Sequence, residues 1–330
     1  MKIKINERYS LAPLIFVEKD DLTPIFNYGR GVYICNFPEP DWYEAHNFKQ
    51  TVNYSIEKKE KFFALMDDGA IILSPTQDSK IIKPTRTVQI GKVLHLGSRF
   101  TGRLAQIFMT IKLIKWLVNH RKSYDYCLCY NFYPGELAAA FVAKYFLRKR
   151  IVVDFEDDYL LQSKNKLYNQ YFKFAKRIPN AVICINKNML HYFPKQDVYV
   201  FNGFIDLSYV NTINFNLQDG VKLLYAGALD EIRGVDLIPD IIYMLRERLK
   251  SFQILITGSG SYEYMVKEWN FKEVTYLGFL SSVEYNSALA NADVFLVLQK
   301  PEHPFSKGSF PSKIEFYSHY KKPIYKIELN

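Results

Sequence analysis

The stretch Lys222-Leu223-Leu224-Tyr225-Ala226-Gly227-Ala228-Leu229, with Arg233-Gly234-Val235 close behind it, decides the reading of the whole chain. An apolar run that breaks at a glycine and leads into a helix-period segment through Leu249 is a strand, a tight turn and a helix. The pattern then recurs. Phe252-Gln253-Ile254-Leu255-Ile256-Thr257 ends in Gly258-Ser259-Gly260, and Val274-Thr275-Tyr276-Leu277 ends at Gly278. Ser281-Ser282-Val283-Glu284 has the spacing of a capping box and opens the next helix. Ala292-Asp293-Val294-Phe295-Leu296-Val297-Leu298 reads as a further strand, and Phe310-Pro311-Ser312-Lys313-Ile314-Glu315 as the start of another helix. Strands alternating with helices predict a parallel sheet, whose ligands bind beyond the carboxyl ends of its strands.

In this order, residues 221–323 resemble the donor-binding half of GT-B glycosyltransferases of family 4. The glycine, spacer, basic residue and glycine of that family are matched here by Gly227, Arg233 and Gly234, with arginine in place of the usual lysine. A guanidinium binds phosphate oxygens bidentately, so the exchange keeps the chemistry. A second basic residue often follows the family's first glycine, where this chain has Ala228. Pro311-Ser312-Lys313 resembles the family's Pro-Ser-Lys turn, in which helix N-terminal amides and the lysine meet the donor diphosphate. The family's ribose-binding glutamate falls where this chain has Phe316, and Glu315 stands one position earlier, about 100° around a helix. The resemblance thus implies a donor site of Gly227, Arg233, Gly234, Gly258, Gly260, Gly278, Ser312, Lys313 and Glu315. It also implies two Rossmann-like, doubly wound parallel-sheet domains facing a cleft. The activity implied is retaining, metal-independent transfer of a sugar from a nucleotide-sugar donor, without a cofactor, to a glycan or lipid-linked acceptor in bacterial surface polysaccharide synthesis.

At 330 residues the chain exceeds what one core usually supports, which predicts two domains. The first is placed at 1–207, a linker rich in asparagine at 208–220, and the second domain at 221–330. Asn202-Gly203-Phe204-Ile205-Asp206 resembles the family's Asn-Gly-Val-Asp element at the end of the first domain. Residues 1–30 have no period that places them. Strands are expected at 31–37, 70–74, 93–96, 124–130, 150–154, 180–185 and 197–201. Helices are expected at 43–66, 104–118, 137–147 and 161–177. The lysine-proline at 322–323 leads into what reads as one more strand, at which the chain stops, and the second domain is expected to leave apolar surface there.

The strand at 150–154 runs into Asp154, Glu156, Asp157 and Asp158. The family often carries a His-Asp pair at the corresponding strand end, and Glu156 and Asp157 occupy those places as candidate catalytic residues. Asp154, Glu156 and Asp158 are the ligand set of an alternative, metal-dependent transferase. A scaffold role for a catalytically impaired relative is the other alternative. The loop at 97–103, with two glycines and two arginines, lacks the Gly-Lys-Ser/Thr ending of a phosphate-binding P-loop.

Other chemistries are poorly supported. The six histidines form no His-x-x-x-His pair, there is no Gly-x-Ser-x-Gly elbow, and Gly258-Ser259-Gly260 lacks a dinucleotide fingerprint's third glycine. The four cysteines, Cys35, Cys127, Cys129 and Cys184, lie in apolar runs without Cys-x-x-Cys spacing, as buried thiols of a cytoplasmic protein do. No signal-peptide core opens the sequence. The net charge of +9 is concentrated: residues 79–124 hold ten lysines or arginines and no acid. Such a face attracts polyanions or an anionic membrane surface, and no nucleic-acid-binding motif accompanies it. Residues 104–118 are apolar nearly all round yet shorter than the roughly 20 residues a bilayer span needs. A crossover helix or an interfacial membrane contact is expected there.

Overall fold

The computed structural model describes residues 2–35, 59, 61–66, 69–75, 88–90, 92–98, 100, 102–156, 166–206, 208 and 217–330. The chain separates into two compact units. Residues 18–202 with 308–310 form one, and residues 1–17, 203–307 and 311–330 the other.

The chain opens with two short strands, β1 (Ile3–Lys4) and β2 (Tyr9–Pro13), which belong to the second of these units. The first unit is then built from β3 (Gly31–Ile34), β4 (Ile71–Pro75), β5 (Val88–Ile90), β6 (Val93–Leu96), helix α1 (Gly102–Asn119), β7 (Tyr126–Tyr130), α2 (Pro134–Tyr145), β8 (Arg150–Phe155), α3 (Lys166–Ala175), β9 (Ala181–Cys184) and β10 (Asp197–Val200). Its sheet has the order β10-β9-β8-β7-β3-β4-β6-β5, parallel throughout except for β5. Both faces are covered, so its strands read as continuous apolar runs rather than alternating ones. Val32, Ile34, Cys127, Cys129, Ile151 and Val153 fill the core on one face, while Tyr33, Leu128 and Val152 are buried on the other. The four cysteines are free and buried, and burial pushes the thiols of Cys35 and Cys127 up to about 12. Helix α1 packs on α2, β4 and β6.

The second unit continues with β11 (Val221–Ala226), α4 (Ile238–Arg246), β12 (Phe252–Thr257), α5 (Glu263–Glu268), β13 (Val274–Tyr276), α6 (Ser282–Asn291), β14 (Val294–Val297), α7 (Lys313–Ser318) and β15 (Ile324–Leu329). Its sheet runs β1-β2-β15-β14-β11-β12-β13. The five strands from β15 to β13 are parallel, and β2 joins them antiparallel, in register from Tyr325↔Pro13 to Leu329↔Tyr9. The expected capping box is present at α6: Ser281 accepts from the Glu284 amide, and the Glu284 carboxylate accepts from the Ser281 amide at 2.9 Å.

Two expectations need correction here. Residues 1–17 do not belong with the unit that follows them in the chain, because β2 pairs with β15 in the sheet of the other unit. The edge of β15 is not left bare, because β2 supplies its missing partner. Asn330 Nδ2 then ties the two ends together, donating to the carbonyls of Asn6 and Glu7 at 2.8 and 2.9 Å. The sequence signal for β1 and β2 is weak: the first has two residues and the second includes a proline, which a sheet tolerates near an edge.

Strand order reverses once in each parallel sheet. In the second unit β12 lies on one side of β11 and β14 on the other, and in the first unit β4 and β7 flank β3 in the same way. At such a switch point the helices leave toward opposite faces and open a crevice beyond the strand ends.

Candidate functional site

In the second unit the switch point lies between β11 and β14, and the groups that gather there come from the loop after β11 and from the long connection that leads from β14 into α7. After β11 the chain turns through Gly227 and reaches Arg233, whose backbone amide donates to Asp230 Oδ1 at 2.8 Å. The Tyr225 hydroxyl, reaching out from β11, donates to the carbonyls of Ala228 at 2.7 Å and Arg233 at 3.3 Å, fixing both ends of the loop. After β14 come Leu298 and Gln299. The Arg233 guanidinium donates to Gln299 Oε1 and lies 4.6 Å over the Phe305 ring. The side chain is therefore held across the switch point, with one donor committed to an amide and its face on an aromatic ring.

Lys313, the first residue of α7, stands at the far end of the connection that follows β14. Its ammonium donates to the Ala226 carbonyl at the end of β11, which also accepts from the buried Tyr317 hydroxyl at 3.0 Å. Burial and, second to it, the nearby Arg233 push the Lys313 ammonium down to about 8. A lysine whose charged form is disfavoured by burial and by a neighbouring guanidinium is a group that an anion relieves. The Ile314 amide is already taken by the Pro311 carbonyl at 3.0 Å, so fewer α7 amides remain for a ligand than the Pro-Ser-Lys resemblance implies.

The lysine shift fixes a pH dependence. Its folded value lies below that of an ordinary lysine, so between about 8 and that ordinary value the folded chain binds fewer protons than the unfolded one. The empty protein gains stability as pH rises through this window. An anion on Lys313 needs the charged form, so its affinity should fall as pH rises through about 8. Titration calorimetry across this range should show that fall in the wild type and a flat profile in Lys313→Arg. Parallel profiles would remove Lys313 from the site.

The glycines divide by cause. Gly234 has φ of +70°, and a Cβ there would lie 2.0 Å from the Leu298 carbonyl oxygen on the other side of the switch point. Gly258, at φ +135°, would put a Cβ 1.8 Å from the Gly227 carbonyl, and Gly260 would put one 2.4 Å from that of Leu229. These three are demanded by the close approach of neighbouring strand ends. The approach is laced by Gly227 N–H to Thr257 at 3.0 Å, Gly258 N–H to Gly278 at 3.0 Å and Leu229 N–H to Ser259 at 3.0 Å. At Gly227 an added Cβ would lie 3.3 Å from the Tyr225 hydroxyl, a tight contact with a side chain rather than a clash with backbone, and at Gly278 it would meet nothing within 4 Å. Of the remaining donor candidates, Ser312 is exposed, and Glu315 is buried within α7. Phe316 stacks on Tyr285 with ring centroids 6.1 Å apart.

In the first unit, Asp154 is buried in β8 and Glu156 is half-buried just beyond it. The Glu156 amide donates to Asn131 Oδ1 at 2.8 Å and its carboxylate accepts from the Tyr130 hydroxyl at 3.0 Å, so β7 holds it in place. Asp157 and Asp158 lie outside the described residues. Among the described residues no three His, Cys, Asp or Glu side chains are placed to hold a metal. Glu136 is a residue the sequence did not single out. It sits in the first turn of α2, beside the β3/β7 switch point, fully buried and with neither carboxylate oxygen hydrogen-bonded. Burial holds its carboxyl well above the usual range, against an opposing pull from Lys59. Its sequence signal is that of an ordinary acidic residue in a helix's first turn, which is why burial alone reveals it.

Each unit is a doubly wound, parallel-sheet α/β domain, and the pair makes the GT-B fold. Solved structures bear this out. HepE from Anabaena in complex with UDP and glucose matches with a TM-score of 0.51 at 14% identity, over 89% of this chain and 80% of that one. An E. coli trehalose-6-phosphate protein bound with UDP-2-fluoro glucose matches with a TM-score of 0.51 at 10% identity, over 89% and 82%. OtsA in its apo form gives 0.50 at 11% identity, over 82% and 78%. At such identities the likeness is one of fold. No family model matches the sequence, and no curated protein matches it.

Proposed function

We propose that the protein is a glycosyltransferase that binds the diphosphate of a nucleotide-sugar donor at the β11/β14 switch point. The observation that carries this reading is the convergence of Arg233 and Lys313 there, the one anchored by Gln299 and Phe305, the other by the Ala226 carbonyl. Two preorganised cations neutralise the charge that grows on a departing diphosphate, and they do so without reorganising during the reaction. On this account the transfer needs no metal ion and retains the anomeric configuration, as the family 4 resemblance implies. Glu156, held by Tyr130 and Asn131, is the candidate for contact with an acceptor hydroxyl. The acceptor is a glycan or a lipid-linked sugar of the kind used in bacterial surface polysaccharide synthesis, a reading that the resemblance alone supports.

The test is a thermal-shift screen of UDP-, GDP- and CDP-linked sugars, followed by assay of product from the one that binds. A ligand that binds only the folded state raises the melting temperature in proportion to the logarithm of its concentration over Kd. A shift with one donor class, and turnover that survives EDTA, are the expected results. Activity lost to EDTA and restored by manganese would favour the metal-dependent alternative. A donor that binds but yields no product with any acceptor extract would favour a scaffold role, for which Phe316, packed on Tyr285 at the family's ribose-binding position, is the supporting observation.

A further inference from the structure

Helix α1 has two apolar faces, and among the described residues only one of them is buried. Ala105, Met109, Leu113 and Leu117 recur every four residues and are fully buried against the first unit. Leu104, Ile107, Phe108 and Ile111 recur at the spacing of a second stripe and remain 56%, 54%, 41% and 54% exposed. At about 100° per residue the two stripes lie on opposite sides of the helix. Phe100, itself 44% exposed, stacks on Phe108 at 4.3 Å and extends the outer stripe past the helix start. Scattered exposed leucines need no explanation, but a contiguous row of large apolar side chains marks an interaction surface.

The charge around this row says what covers it. Arg103 and Lys112 flank the stripe on its two sides, and Lys115 continues it one turn toward the carboxyl end. Arg103 and Lys115 are exposed, whereas Lys112 is partly engaged with the Gly97 carbonyl. No acidic residue occurs anywhere from residue 79 to residue 124. A second protein surface would need to match both the apolar row and an unrelieved positive rim. A bilayer surface bearing anionic headgroups matches both, with the apolar row in the acyl boundary and the cations among the phosphates. Among the described residues no helix is long and apolar enough to cross a membrane, so α1 would lie in the surface plane. We propose that the outer face of α1 is a docking surface for an anionic lipid bilayer, with Leu104, Ile107 and Ile111 as its apolar contacts and Arg103 and Lys115 as its headgroup contacts.

The proposal deepens the reading of the acceptor as lipid-linked. The start of α1 follows β6 at the carboxyl edge of the first sheet, the edge at which an α/β domain presents its ligands. It can fail or hold independently of donor binding, because vesicle binding and nucleotide-induced melting shifts are separate readouts. The experiment is co-sedimentation of the full chain with vesicles of phosphatidylcholine alone and of phosphatidylcholine mixed equally with phosphatidylglycerol, at low and high salt. Expected are binding to the anionic vesicles only, weakening as salt rises, and a loss of about tenfold or more in both Leu104→Gln/Ile107→Gln/Ile111→Gln and Arg103→Gln/Lys115→Gln. All five positions are exposed, so both variants should melt with the wild type. Hydrogen exchange of residues 103–115 gives a second reading on the unaltered chain, with slowing expected when anionic vesicles are added. Equal binding to both vesicles, or binding to neither, overturns the proposal. So does self-association that the apolar variant abolishes while vesicle binding is absent, which would assign the face to a second copy of this chain.

Discussion

Gly258→Ala should unfold the second unit at temperatures the wild-type chain tolerates. At φ +135° an added Cβ would sit 1.8 Å from the Gly227 carbonyl oxygen, and that oxygen is backbone, pinned by the neighbouring Gly227 N–H bond to Thr257. No rotamer change relieves such a contact. The two strand ends would have to part, breaking the lacing between β11, β12 and β13. The cost should be about 4 kcal/mol or more, a large fraction of the roughly 5–15 kcal/mol that a domain has to lose. Gly278→Ala is the control: it has a positive φ of +70° but meets nothing within 4 Å. Its cost should be the backbone term alone, about 1–2 kcal/mol. Thermal or urea melting of the two variants separates these cases. If both melt alike, the close packing of the strand ends is not what the glycine serves.

Loss of either anchored cation is the second large effect. Arg233→Ala should weaken diphosphate binding by about 1.5–3 kcal/mol, the usual scale for a hydrogen bond to a charged group. Lys313→Ala should do the same, and the two losses should not add, because each ammonium or guanidinium now repels the other in the empty site. Neither change should destabilise the fold. Removing one of two neighbouring like charges relieves repulsion, and the Tyr317 hydroxyl still satisfies the Ala226 carbonyl at 3.0 Å. Calorimetry with a nucleoside diphosphate, paired with melting curves of the empty variants, reads both halves. Arg233→Lys should recover only part of the loss, since an ammonium cannot keep the planar stack on Phe305 or bind two oxygens at once.

Much of the candidate site is legible in the sequence because its pieces are local. A strand that ends at Gly227, an arginine six residues on, and a Pro-Ser-Lys turn before a helix are each set by neighbours in the chain. What could not be read depends on distant contacts. Gln299 and Phe305 carry no motif, and only the fold brings them to Arg233. The glycines illustrate the same limit: the resemblance names Gly234, Gly258 and Gly260 as donor contacts, and the fold adds a second reason for each, the close packing of adjacent strand ends. Burial is the other hidden variable. Glu136 and Glu315 look like helix-surface acids in sequence, and both are fully enclosed. The partnership of β2 with β15 joins the two ends of the chain, which no local period can announce. The apolar-all-round pattern of residues 104–118 was visible, but which of its apolar residues face the core was not.

The central claim is that the β11/β14 switch point recognises a diphosphate. The most direct test is calorimetry on the wild-type chain with UDP, GDP, CDP and ADP, each against its own monophosphate. At least one diphosphate should bind, and at least about tenfold more tightly than its monophosphate, since the second phosphoryl group adds charge-assisted hydrogen bonds to a pair of cations. Equal affinity for diphosphate and monophosphate, or binding of none of the four, would contradict it.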